Sequence, residues 1–240
     1  MRGIFLSHTN RHLIIIVRDM KLESDGILIS LRPINERDSV ANIFTRDHGM
    51  LSGVMRAAVI AKKNRALVGQ VGFAAWNARL DSQLGTFHWE SAENLAAALM
   101  LDMKTLSFMN AAFELLGTLL PEREQYCGLY DSTVQMLRTM ATCQDADAVY
   151  LGWEIKLLHD LGFALDLTHC SGCGRTDNLN FLSPKTGRAV CDDCAAPYIN
   201  KLYKLPVTLD ATLGFVSGVC TQMGVDVPRS RVYLSRIKKN

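Results

Sequence analysis

The hydrophobic and polar residues of this chain follow two different periods, and the change falls at about residue 91. Before that point, short apolar segments alternate with polar residues at a period of two and are separated by tight turns. The clearest example is residues 40–45, followed by a turn at 46–49 that ends in glycine. About five such segments fit between residues 25 and 90. Because closure removes exposed strand edges, this density predicts a small closed β-barrel rather than an open sheet.

The second half of the chain has apolar residues at spacings of three and four, which is the helical period. A long first helix is predicted from a cap at Ser91 to Pro121. Two more are predicted over residues 129–140 and about 145–161, and the C-terminal part returns to helix in two pieces that are separated at about 224–228. The predicted fold class is therefore α+β and multidomain, with a β-barrel followed by an all-α domain.

These patterns divide the chain into three parts. Residues 1–19 are predicted to be an N-terminal extension, either disordered or read from a start codon assigned too early. Their apolar run at 13–17 is too short for a signal peptide and is followed by charged residues. Residues 20–93 form the barrel domain, and residues 94–240 form the helical domain with a cysteine module at 167–197. No segment approaches the roughly 18–20 apolar residues of a membrane span. We therefore expect a cytoplasmic protein with no membrane partner.

The cysteine module contains two short pairs, Cys170-Ser-Gly-Cys173 and Cys191-Asp-Asp-Cys194. Two intervening residues let both thiolates of a pair reach one ion, and the second pair completes a tetrahedron. Four soft thiolates suit zinc, and a closed site of four cysteines leaves no open position for water or substrate. The sequence therefore predicts one structural Zn²⁺.

Other readings of the four cysteines are weaker. Two disulfides would need an oxidising compartment, which nothing else in the chain indicates. An iron–sulfur cluster also takes four cysteines, but paired short spacings fit zinc better. A redox pair or a vestigial site also remains open.

A local excess of positive charge is the second strong signal, because the whole chain carries a net charge of only +2. No carboxylate occurs between Asp47 and Asp81, whereas this stretch contains five cations that are candidates for contact with nucleic acid, namely Arg56, Lys62, Lys63, Arg65 and Arg79. Such an excess concentrates positive potential on one surface. Phe73 and Trp76 follow the basic loop and are either core residues or platforms for stacked bases. The alternative for the basic loop is a solvated loop without a ligand.

The C-terminus repeats this pattern. After Asp226 the chain has no acid but contains several cations, namely Arg229, Arg231, Arg236, Lys238 and Lys239. A short basic helix there would touch phosphates or the acidic tail of a partner, and the alternative is a solvated, frayed end.

Signatures of catalysis are not found in the sequence. It contains no glycine-rich phosphate loop and no recognisable pairing of a nucleophile with a base. Asp192 and Asp193 lie inside the second cysteine pair and are interpreted as exposed helix or turn residues rather than nuclease ligands. We predict a non-enzymatic protein.

The chain resembles the bacterial RecO family of DNA repair proteins over about residues 20–238. The most specific segment is the run Ser183-Pro184-Lys185-Thr186-Gly187-Arg188 between the cysteine pairs. Further matching segments are residues 25–29, 35–39, 45–49 and 84–87 in the barrel and residues 128–130, 153–155 and 158–163 in the helices.

The resemblance implies an N-terminal OB-fold that binds single- and double-stranded DNA, and a helical domain with a zinc module. It also implies a nucleoid-associated mediator of repair and recombination in the RecF pathway. Such a protein anneals complementary strands and helps load RecA onto DNA covered by single-stranded-DNA-binding protein (SSB). The implied partners are RecR, the C-terminal tail of SSB and, less directly, RecF and RecA.

Two functions of other classes remain open from the residues. A zinc-ribbon regulatory factor would bind nucleic acid with sequence specificity or prefer RNA. A zinc-stapled enzyme such as a deacylase would need a dinucleotide fingerprint, which the chain lacks.

Overall fold

The computed structural model describes residues 20–237 apart from 57, 59–64, 80–83 and 143–144. The predicted extension at 1–19 therefore lies outside the described residues. Five strands form a closed barrel in the order β1-β2-β3-β5-β4. They are β1 (Met20–Pro33), β2 (Ser39–Thr45), β3 (Gly49–Met55), β4 (Gln70–Ala78) and β5 (Gly85–Asn94). All pairings are antiparallel except that of β3 with β5. The predicted barrel is confirmed, and its strand order is that of an OB-fold.

The helical part contains six helices outside the cysteine module. They are α1 (Ala96–Leu99), α2 (Met103–Leu119), α3 (Cys127–Met140), α4 (Ala146–Asp160), α6 (Leu209–Met223) and α7 (Arg229–Ile237). The module itself contains β6 (Leu179–Leu182), β7 (Ala189–Cys191), α5 (Asp192–Ala195), a 3₁₀ helix over Ala196–Lys201 and β8 (Tyr203–Lys204). The strands β7-β6-β8 form a small antiparallel sheet. The helical domain with a cysteine insert is thus confirmed as a fold.

The first predicted helix is wrong at its start. Residues 91–94 continue β5, where Ser91 pairs with Gly72 and Asn94 pairs with Gln70. The helix proper begins only at Met103, and the carboxylate of Asp102 caps it by accepting a hydrogen bond of 2.9 Å from the backbone N–H of Thr105. These residues instead pair with β4, which closes the barrel. A local helical period gives no indication of this long-range pairing.

The barrel and the helices share one buried core. Ile27, Ile29, Phe44 and Met50 of the barrel belong to the same cluster as the buried faces of α2, α3 and α4. The ring of Phe44 meets Tyr130 of α3 edge to face at 5.8 Å. The barrel is therefore held against the helices by apolar contact.

Polar contacts also join the barrel to the helices. The guanidinium of Arg46 donates two hydrogen bonds, of 2.9 and 3.0 Å, to the carboxylate of Asp131 on α3. Gly49 has a φ of +64°, and a Cβ built there would lie only 1.8 Å from the carbonyl oxygen of Glu124. The hairpin between β2 and β3 therefore needs glycine, both for its left-handed backbone and for its contact with the helical domain.

Among the described residues, no helix is both long and apolar enough to cross a membrane.

Candidate metal centre and nucleic-acid surface

Two short turns bring the four cysteines of the module together. Cys170 and Cys173 lie in a turn that Gly174 closes with a φ of +77°, and the backbone N–H of Gly174 donates to the carbonyl of Cys170 at 2.9 Å. Cys191 ends β7 and Cys194 lies in the short helix α5. The backbone N–H of Ser171 donates to the carbonyl of Ala189 at 2.9 Å. This hydrogen bond joins the turn that contains Cys170 and Cys173 to β7, the strand that ends in Cys191.

The four sulfur atoms lie close enough together to reach one metal ion. All four Sγ atoms lie within 4.8 Å of one another, and those of Cys173 and Cys191 are 3.7 Å apart. A tetrahedron with metal–sulfur bonds of about 2.3 Å separates its sulfurs by about 3.8 Å. A Cβ at Gly172 would lie 3.0 Å from Sγ of Cys194, so the small residue inside the first pair keeps the cluster tight. The four predicted ligands could therefore hold one metal ion.

Backbone donors favour the thiolate form of Cys170, whereas neighbouring thiols and burial raise the pKa of Cys194. The N–H groups of Cys191 and Gly172 point at Sγ of Cys170, at 3.3 and 3.4 Å. The hydrogen bond from Cys191, which makes the largest contribution, lowers the pKa of the Cys170 thiol to about 6. Because the thiolate is the form that binds metal, these donors prepare Cys170 as a ligand.

The carboxylates beside the second pair tie the module together. Arg175 donates to Asp193 at 2.7 Å, and the amide of Asn180 donates to both oxygens of Asp192 at 3.0 and 2.9 Å. Both aspartates are exposed. Both aspartates form hydrogen bonds with side chains of the module, so their role in the structure is to stabilise it.

The predicted basic residues occupy different parts of the barrel surface. Arg56 follows β3, Arg65 precedes β4 and Arg79 follows β4, and all three are exposed. None of these three guanidiniums forms an ion pair with another described residue. Lys62 and Lys63 lie outside the described residues.

The strand register decides how these arginines are distributed. Thr86 of β5 is flanked by Val54 of β3 and by Asn77 of β4. Since β3 runs parallel to β5 and β4 runs antiparallel to it, Arg56 and Arg79 lie in opposite directions along β5. The structure therefore does not bring Arg56 and Arg79 together. Their role in binding DNA stays a prediction.

The two aromatic residues of β4 have separate environments. Trp76 is 1% exposed, and its indole N–H donates to the carbonyl of Ser52 at 2.9 Å. Phe73 is 40% exposed, but its partners on the adjacent strands are Asp25 and Glu90. Trp76 is thus a core residue, as one reading predicted. Phe73 lies between two acidic residues, which is unfavourable for a nearby phosphate.

One predicted surface cation, Arg231, is instead fully buried. Arg231 is 0% exposed and forms an ion pair with Glu154, which is also 0% exposed. Its guanidinium also donates to the carbonyl of Leu209 at 2.6 Å and to the hydroxyl of Thr212 at 3.1 Å. The hydroxyl of Tyr150 donates to the same carboxylate at 3.0 Å. The interpretation of Arg231 as part of a basic surface is therefore wrong.

This buried network joins α4, α6 and α7, and sequence reasoning missed it. Burial by itself would lower the pKa of Arg231, but the hydrogen bonds and charge of Glu154 outweigh that effect and raise it. One signal was available in the sequence. Glu154 shares the helix face of Tyr150, Trp153 and Leu157, and a carboxylate within an apolar stripe needs a partner of opposite charge.

Comparison with known proteins gives the family. The model of the recombination protein O N-terminal domain matches residues 20–93, and that of its C-terminal domain matches residues 100–213. The chain belongs to the RecO family. It is 39% identical over 183 residues to the DNA repair protein RecO of Dinoroseobacter shibae, which covers 76% of each chain. It is 38% identical over 191 residues to RecO of Roseobacter denitrificans, which covers 79% of each.

A third RecO relative, from Rhodospirillum centenum, is 37% identical over 190 residues, with 78% of this chain and 76% of the relative covered. The two family models match the barrel and the helical region separately, in the order in which the structure presents them. The family resemblance drawn from the sequence is therefore confirmed, and the chain is a DNA repair protein of the RecO family.

Proposed function

We propose that this RecO-family chain binds single- and double-stranded DNA, anneals complementary strands and, with RecR, helps load RecA onto DNA covered by SSB. It does so as a cytoplasmic, nucleoid-associated mediator that makes and breaks no covalent bond. Contact with the C-terminal tail of SSB, and indirectly with RecF and RecA, belongs to the same proposal. These partners follow from membership of the family.

The exposed arginines of the barrel carry the DNA-binding part of the proposal. Arg56, Arg65 and Arg79 are exposed and form no ion pair within the described part of the chain. A phosphate can therefore approach them without displacing a carboxylate. Each cation that replaces condensed counterions on DNA gains free energy from ion release, and two strands neutralised on one protein repel each other less. Annealing then needs only charge and proximity.

The four-cysteine cluster has a supporting role in this proposal. We assign it one Zn²⁺, held by Cys170, Cys173, Cys191 and Cys194, because four thiolate sulfurs within reach of one ion are a donor set that zinc favours. When bound, the ion supplies cross-links between the two turns. All four of its positions would be filled by protein, so it stabilises the module and does not contact DNA.

The salt dependence of DNA binding tests the proposal. Replacing Lys62, Lys63 and Arg65 together by alanine should weaken binding of a random single strand roughly 10- to 100-fold at low salt. It should also reduce the slope of log K against log salt by up to about 2, since each lost contact with a single strand contributes about 0.7. Fluorescence anisotropy at several salt concentrations measures both quantities, and an annealing assay should show a parallel loss.

A matched control removes the same number of charges elsewhere. Lys21, Lys104 and Arg175 each form an ion pair with a carboxylate in the structure. The variant with alanine at all three positions also lowers the net charge by three. We expect this control to keep nearly the full salt slope. An unchanged slope in the first variant, or equal losses in both, would contradict the proposal. Strong preference for one DNA sequence would favour a regulatory factor.

A further inference from the structure

A groove of about 1000 Å³ lies between the barrel and the C-terminal helix. Strands β1 and β2 form one wall, and helices α2 and α7 form the other. Of the predicted DNA-binding residues that the structure describes, Arg56, Arg65 and Arg79 do not line it. Its surface carries three arginines, Arg32 from β1 and Arg229 and Arg236 from α7.

Helix α7 presents two faces with different chemistry. Arg231 and Leu234 are buried against the helical core. Arg229, Tyr233 and Arg236 are exposed and lie at i, i+4 and i+7, so they share the opposite face over about 10 Å of helix. The ring of Tyr233 is 53% exposed between the two guanidiniums. An exposed aromatic ring flanked by cations is the arrangement on which bases stack while phosphates are neutralised.

The positive charge of the groove is largely free. Arg32, Arg229 and Arg236 form no ion pair with any residue that the structure describes. Within the same described part, the carboxylate lining the groove is that of Glu114, and it accepts hydrogen bonds from the backbone N–H of Ser230 at 3.3 Å and from its hydroxyl at 2.7 Å. Glu114 thus fixes the start of α7, and within the part of the chain that the structure describes it forms no ion pair with the three guanidiniums.

The strand register places one end of the groove near Arg56 of the barrel. Arg32 pairs with Val40 across β1 and β2, and Val40 pairs with Val54 across β2 and β3. Paired residues have their side chains on the same face of a sheet, so this row lies on the outer face with Arg32 at one end. Arg56 follows Val54 by two residues and is exposed. Neighbouring strands are about 4.8 Å apart, which places Arg32 and Arg56 on the order of 10–15 Å from each other.

We propose that this groove extends the DNA path of the barrel, so that one single strand runs from the segment at Arg56 across β2 and into the space between Arg32 and α7. A base stacks on Tyr233, and phosphates contact Arg32, Arg229 and Arg236. The inference rests on the proposed function and adds a second stretch of contacts to it. The proposed DNA-binding site is therefore longer than that of the barrel alone.

The dependence of affinity on strand length tests this path. Oligothymidines of about 8 and about 24 nucleotides are compared, since one OB fold covers about 4–16 nucleotides. The variant Arg229→Ala/Tyr233→Ala/Arg236→Ala should bind the long strand about 10-fold more weakly than the original chain and should bind the short strand equally well. Tyr233→Trp, which keeps a stacking surface, should retain most of the affinity for the long strand.

A control that also removes two cations and one tyrosine is available on the cysteine module. Arg175, Tyr198 and Lys201 are all exposed, and their triple alanine variant should bind both strands as the original chain does. Circular dichroism verifies that the variants are folded. Equal affinity of the groove variant and the original chain for the long strand would overturn the inference and leave the proposed function intact.

Two further outcomes identify other errors. If the original chain binds neither strand, the proposed function itself fails, and the groove inference falls with it. If the groove variant keeps its affinity for the long strand but loses binding of a polyglutamate peptide, the groove receives an acidic protein segment and the inference is wrong.

Discussion

Replacement of Cys170 and Cys191 together by serine is expected to remove the metal and unfold the cysteine module. Both thiols are buried, and each lies in a different one of the two turns that the ion would join. The apolar cluster around them is small, with Phe181, Val190 and Ala195 as its other buried members. Structural zinc contributes about 10–16 kcal/mol in small zinc-binding peptides, which is far more than such a cluster supplies. Elemental analysis should find one zinc per original chain and none in the variant.

Hydrogen exchange locates the consequence of this change. The amides of β6 and β7 should lose their protection, whereas the barrel strands, which have their own core around Trp76, should keep theirs. Cys127→Ser is the control, because Cys127 is a half-buried thiol outside the cluster and a serine there still donates to the carbonyl of Arg46. A purified original chain without metal, with β6 and β7 as well protected as in a metal-loaded sample, would refute the assignment.

Glu154→Gln should destabilise the helical domain by about 3–5 kcal/mol. The substitution leaves the guanidinium of Arg231 charged and fully buried without its counter-charge, and an uncompensated buried charge of this kind has that cost. Urea unfolding followed by helical circular dichroism measures the loss. The unfolding midpoint should fall clearly below that of the original chain.

Two comparisons isolate the role of burial. Glu93→Gln removes the carboxylate that pairs with Arg138 on the surface, and the expected loss is about 0–1 kcal/mol because both groups are largely solvated. The double variant Glu154→Leu/Arg231→Met removes both buried charges and should be more stable than Glu154→Gln alone. Losses of the same size in Glu154→Gln and Glu93→Gln would show that the buried pair has no special importance for stability.

The limits of sequence reasoning are clearest at the start of the helical domain. The leucine spacing after residue 91 is truly helical, and α2 uses part of it. Residues 91–94, however, are taken by β5, because pairing with β4 closes the barrel. Local periodicity cannot weigh this competition, since the partner strand lies about 20 residues earlier in the chain.

The candidate site likewise has one part that the sequence predicts and another part that depends on long-range pairing. The two cysteine pairs specified the four ligands, because two intervening residues let both sulfurs of one turn face the same ion. The basic residues were recognised as an excess of charge, but their positions were not. The register of β3, β5 and β4 separates Arg56 from Arg79, and that of β1, β2 and β3 brings Arg32 toward Arg56. Arg32 lies outside the acid-free stretch.

The sequence by itself determined what local spacing encodes, namely the barrel strands, most of the helices and the four cysteines that could hold a metal ion. The tertiary structure decided which arginine of the C-terminal segment is buried and which arginines are exposed. Arg229, Arg231 and Arg236 look equivalent along the chain, yet Arg231 points into the core toward Glu154, while the other two line the groove beside the barrel. The reason is helical geometry, because residues separated by two positions lie on nearly opposite faces, and only the packing of α7 against α2, α4 and α6 fixes which face is buried.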